Sequence, residues 1–134
     1  MKRLLVFLTA ASLLLAVPTF TGCASANKTA YKATATVAIS ADAAMSAWGD
    51  YVAHQRATGK PVAVSVEIQV RDAYLKYQSI SIVAADAGAS YSRASAAKDP
   101  NAGAALQGLN TAMSIASACL ADLVNLIQQF GVKL

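Results

Sequence analysis

From Leu106 onward an apolar residue recurs at intervals of three and four: Leu106, Leu109, Met113, Ala116, Leu120, Leu123, Ile127 and Phe130. Side chains so spaced stack on one face of an α-helix, and here no polar residue interrupts them. Ala105, Ala112, Cys119 and Leu126 widen the stripe, while Gln107, Ser114, Asp122, Asn125 and Gln128 fall largely on the other side. A stripe this wide suits a helix that touches two neighbours. An earlier segment carries two patterns at once. Val62, Val64, Val66, Ile68 and Val70 alternate with Ala63, Ser65, Glu67 and Gln69, the period of a half-buried strand. Ala63, Val66, Val70, Ala73, Tyr77, Ile80, Ala84, Ala87, Tyr91 and Ala94 keep the helical spacing over the whole segment. A lone strand would have no partner for its backbone groups, so the helix is preferred. Acid-before-base pairs four apart, Glu67 with Arg71 and Asp72 with Lys76, agree with that choice. In a third periodic stretch, Tyr31, Thr34, Ala38, Ala41, Met45, Trp48 and Val52 form one stripe, with Ala30, Val37, Ala44 and Tyr51 beside it.

Gly59-Lys60-Pro61 and Asp99-Pro100-Asn101-Ala102-Gly103 punctuate these stretches. Gly59 suits the residue that closes a helix, and Asp99-Pro100 suits a cap followed by a first helical position. The expected helices are 30–58, 62–98 and 103–130. Connections this short favour antiparallel neighbours, so the fold class is all-α, an antiparallel three-helix bundle over 30–134. With 31 alanines the helices should approach closely around a thin core, given bulk by Met45, Trp48, Tyr77, Tyr91, Leu120 and Phe130. Ala84 and Gly88, one turn apart, suggest a tight crossing.

The first 22 residues belong to another pattern. Lys2 and Arg3 precede an apolar run from Leu4 to Val17, then Pro18. A charged start and a run shorter than the ~20 residues of a spanning helix read as a secretory signal peptide. It is expected to form a signal-peptide helix ahead of the bundle. The run leads to Phe20-Thr21-Gly22-Cys23, which resembles the lipobox of bacterial lipoproteins, Phe20 standing where that family usually has Leu. The resemblance covers only the leader, 1–22 with Cys23. It implies that the Cys23 thiol is joined to diacylglycerol, that a peptidase cuts before it, and that the new amino terminus is acylated. Two or three acyl chains, at about 0.8 kcal/mol per buried methylene, hold a protein stably to a bilayer. Ala24 follows the cysteine, and not the Asp that marks inner-membrane retention in the enterobacterial version of the family. In a host with two membranes the resemblance therefore favours the periplasmic face of the outer membrane. Residues 23–29, small and polar, are expected to serve as a tether.

Removal of the leader lowers the basic residues from 11 to 9, so 9 − 7 gives the mature chain a charge of +2 instead of +4. These bases are spread singly, without the clustering of a nucleic-acid surface, so no nucleic acid is expected. With Cys23 modified, Cys119 is the only thiol, which excludes an internal disulfide. Its apolar surroundings predict a buried small hydrophobe, ahead of a cross-chain disulfide.

A catalytic role finds little material in a chain with one His and one Glu. Ser46, Asp50 and His54 lie at successive helical turns, but a nucleophilic relay needs the His between the other two, and here Asp50 is in the middle. Asp50 and His54 offer two metal ligands where structural zinc wants four. No phosphate-binding glycine loop or zinc-protease motif is present. No enzyme, cofactor or metal site is expected. Fragments such as Ala44–Val52 and Ala73–Gln78 resemble small alanine-rich helical proteins of bacterial and phage genomes and bring no functional residue with them.

The expected function is a lipid-anchored envelope protein acting as a structural or protein-interaction module. Two alternatives differ in class. One is a periplasmic binding protein that holds a small hydrophobic ligand near Trp48 and Tyr77, with Tyr74 and Tyr91 as further aromatic candidates; it needs a real cavity. The other is a membrane-perturbing small protein of mobile-element origin, suggested by the single charge, Asp122, between Leu106 and Gln129.

Overall fold

A computed structural model describes residues 23–134, apart from the side chains of 23–31 and of Thr34. The expected signal peptide, and Phe20-Thr21-Gly22 within it, lie outside the described residues. The described chain is all-helical: α1 spans Cys23–Ala57, α2 Val64–Ala96 and α3 Ala102–Gln129. At 1.5 Å per residue these are rods of roughly 52, 50 and 42 Å. α1 begins seven residues before the expected 30, so 23–29, read as a tether, has helical backbone. Ala24, Ala26 and Lys28 are good helix formers, which favours continuing the helix through them.

The helices run antiparallel in sequence order. Trp48 and Val52 near the end of α1 pack with Val70 near the start of α2 and with Leu123 and Ile127 near the end of α3. Farther along, Ala41 meets Tyr77, Cys119 and Leu120. A third cluster, Tyr91 and Leu109 with Ala87 and Leu106, joins the end of α2 to the start of α3. α2 and α3 share by far the most extensive contact.

The helical stripes are the buried ones. Val70, Tyr77, Ala84 and Tyr91 on α2 are buried at intervals of seven, and on α3 the buried residues Leu109, Ala112, Ala116, Cys119, Leu120, Leu123 and Ile127 keep to one helical face. Among the described side chains of α1 the buried set is Ala41, Ala44, Trp48 and Val52. The strand-like alternation at 62–70 is overridden, since the helix starts at Val64 and leaves Val64 and Ile68 in solvent. Only Val62 and Ala63 remain extended or irregular, with Ala63 in the β region as the N-cap.

The turns explain where each helix stops. Gly59 has φ +71°, its N–H donates to the Arg56 carbonyl, and Lys60 N–H donates to the Gln55 carbonyl. That paired arrangement is a Schellman motif with glycine at the left-handed position. The same pair of bonds closes α2, Lys98 to Ser95 and Asp99 to Ala94, but there the left-handed residue is Lys98, at φ +53°. A side chain at such an angle costs about 1 kcal/mol that glycine avoids. Lys98→Gly is therefore expected to stabilise the protein by up to about 1 kcal/mol, read as a higher urea midpoint; an unchanged or lower midpoint would contradict the account.

Three expectations need correction. α3 begins at Ala102, one residue before the expected 103, and Pro100 is not its first helical position: the Asp99 carboxylate accepts the Asn101 N–H at 2.7 Å, and the Asp99 carbonyl accepts that of Ala102, so a tight turn precedes the helix. Glu67 pairs with Arg56, not Arg71, at 2.8 and 2.9 Å across the α1–α2 turn, while Arg71 takes its neighbour Asp72. A single Arg56 nitrogen, Nη2, donates to both carboxylate oxygens, a charge-assisted contact that bridges the two helix ends. Gly88 is not demanded by a close crossing, because a Cβ there would lie 3.7 Å from Leu109 Cδ1, an ordinary contact.

Candidate functional site

Where the middles of the three helices meet, small side chains fall short of filling the space. Ala38 on α1, Ala84 and Ala85 on α2, and Ala116 on α3 line a cleft of about 260 Å³, partly open to solvent. Val37, Ile82 and Met113 supply its larger apolar walls, and Tyr77 and Ser81 its polar atoms. Among the described residues no charged side chain lines it.

Tyr77 is only 4% exposed, yet its hydroxyl makes no hydrogen bond within the described protein and is not sealed from solvent. Ser81 differs, for its hydroxyl is used by the Gln78 carbonyl at 2.8 Å. Tyr77 stacks on Tyr74 with ring centroids 6.2 Å apart. Burial pushes the Tyr77 phenol above its ordinary pKa, and the Asp42 carboxylate and Tyr74 add to the shift. The hydroxyl is thus held as a neutral donor beside a negative charge.

Of the aromatics considered from the sequence, only Tyr77 belongs to this cleft. Trp48 lies elsewhere, stacked on Tyr51 at 5.7 Å and tilted against Phe130 at 5.8 Å. Tyr91 is buried against Leu109. Ile82 and Met113 were not singled out as ligand contacts. Their signal would have been Ile82, a large apolar residue off the α2 stripe, which is 63% exposed. A second depression, broader and more open at about 430 Å³, lies beside Val83, Gly108, Thr111 and Ile115.

The other candidate chemistry does not assemble. Ser46, Asp50 and His54 are all exposed, with no hydrogen bond between them. Among the described residues no three His, Cys, Asp or Glu side chains come together to hold a metal ion. Cys119 is buried as a free thiol among Ala41, Tyr77 and Leu120, matching its expected place. Cys23 is the first residue of α1, and its side chain lies outside the description. α3 is the one described helix long and apolar enough to cross a membrane, yet seven of its residues are buried in the bundle.

No protein-family model matches the chain, and no curated protein or solved structure matches it.

Proposed function

We propose that the protein is a lipid-anchored module of the cell envelope, held to a membrane through Cys23 and acting without catalysis, through protein contacts or as a structural component. The observation that carries this reading is Phe20-Thr21-Gly22-Cys23 directly after the apolar run from Leu4 to Val17. The geometry is compatible with it. Cys23 opens α1, and the first buried residue described on that helix is Ala41, 18 residues on, or roughly 27 Å at 1.5 Å per residue. In a host with two membranes the site is the periplasmic face of the outer membrane.

Labelling cells with a fatty acid tests the anchor. The wild-type chain is expected to take up label and to fractionate with membranes, whereas Cys23→Ser loses both. An unlabelled wild type, or equal labelling of the variant, would refute lipidation at this residue.

A second reading, the holding of a small hydrophobic ligand between the helices, is favoured by one observation, the cleft beside Tyr77.

A further inference from the structure

We infer that the cleft between α1, α2 and α3 is a binding site for a neutral, mainly hydrocarbon molecule of roughly ten non-hydrogen atoms, whose carbonyl or ether oxygen accepts a hydrogen bond from Tyr77. The inference rests on the second reading above and is independent of the anchor.

Size comes first. An apolar cavity of about 150 Å³ admits benzene. The 260 Å³ here admits a larger molecule but remains below the usual range of drug-sized sites, roughly 300–1,000 Å³. Polarity comes next. The walls are alkyl groups of Val37, Ile82, Met113 and four alanines, so most of the occupant must be hydrocarbon.

The hydroxyl of Tyr77 fixes the rest. The Tyr77 ring is buried, the residue lines the apolar cleft, and its hydroxyl reaches solvent without a partner in the described protein, so an occupant's oxygen can take the place of water there. A ligand oxygen there completes the bond. The same place is hostile to an anion: Asp42 acts on Tyr77 electrostatically, and none of the described lining residues carries a positive charge. A fatty carboxylate would meet repulsion with no compensating cation, whereas a ketone, ester or ether of equal length would not. The cleft therefore selects by charge as well as by shape.

The probes are nonan-2-one and nonanoate, matched in chain length and differing in charge. The full chain is kept in solution with a fluorinated surfactant that mixes poorly with hydrocarbon, and its methionine methyls are followed by NMR at pH 7. Met113 lines the cleft and Met45 packs beside Trp48, so the two methyls separate binding here from binding elsewhere. Nonan-2-one is expected to shift Met113 saturably and leave Met45 unmoved, with nonanoate at least about 10-fold weaker. Tyr77→Phe is expected to weaken nonan-2-one about 3- to 10-fold, the worth of one hydrogen bond. Ala85→Leu, at an exposed position that tolerates bulk, is expected to fill the cleft and abolish the Met113 shift. Saturable binding that moves Met45 or other residues and spares Met113 would overturn the site while leaving a ligand-binding role standing. No binding of either probe would overturn both. Equal affinity for the two probes, or an unchanged affinity in Tyr77→Phe, would overturn the assignment of ligand chemistry.

Discussion

Trp48→Ala is expected to destabilise the protein by about 3–5 kcal/mol, the loss typical of a buried Trp or Phe cut back to Ala. The size of the effect follows from what holds α1 in place. The other buried residues among its described side chains are Ala41, Ala44 and Val52, which bring little area each. Trp48 reaches both partners, packing in one cluster with Val70 of α2 and with Leu123 and Ile127 of α3, and it adds ring contacts to Tyr51 and Phe130. Aromatic pairs of this kind contribute about 0.5–1.5 kcal/mol beyond burial. The check is urea unfolding followed by far-UV circular dichroism, because the variant loses its only Trp as a fluorophore. A loss under about 1 kcal/mol would mean that α1 is held by something other than this side chain. Trp48→Phe, which keeps a ring, is expected to retain more than half of the difference.

Leu123→Ala is expected to cost about 2–5 kcal/mol, against less than about 1 kcal/mol for Leu75→Ala. The two substitutions delete the same atoms. Leu123 is fully buried where α1, α2 and α3 converge, so its removal leaves a void that three helices cannot all close. Leu75 is 52% exposed on α2, so much of its area is already in water. Parallel denaturation of both variants measures the contrast directly. Equal losses would show that the core is not where the burial places it.

The helical part of this fold was largely legible because the apolar spacing reports which face each helix buries. Val70, Tyr77, Ala84 and Tyr91 on α2, and Leu109 through Ile127 on α3, could be read directly. The valine-rich stretch misleads since Val64 and Ile68 are apolar and yet face water, and an alternation of residue types does not say which of them find partners. The closing residue of α2 was hidden for a different reason. Lysine carries no signal for a left-handed angle, and the bonds of Lys98 and Asp99 back to Ser95 and Ala94 impose it. The pairing of Glu67 with Arg56 depends on how the α1–α2 turn folds back, which spacing along one helix does not encode.

The candidate site was legible only in part. Tyr77 was in view as an aromatic residue, but Trp48, placed beside it from the sequence, belongs to another cluster. The cleft arises where Ala38, Ala84, Ala85 and Ala116 meet, and that meeting is set by the relative register of three helices. Each helix alone gives no sign of it. Conversely, Ser46, Asp50 and His54 have regular spacing and still make no contact with one another, so periodicity alone creates no chemistry.

Every buried side chain described here is apolar, apart from the hydroxyl tips of the tyrosines, and the two ion pairs among the described residues stand in solvent. Cohesion of the bundle therefore owes almost nothing to charge. Raising ionic strength with sodium chloride screens two surface pairs worth about 0–1 kcal/mol each and leaves the rest untouched. Sulfate, excluded from protein surfaces, instead tightens the association of the helices. The fold is therefore expected to keep nearly the same stability as sodium chloride is diluted or concentrated.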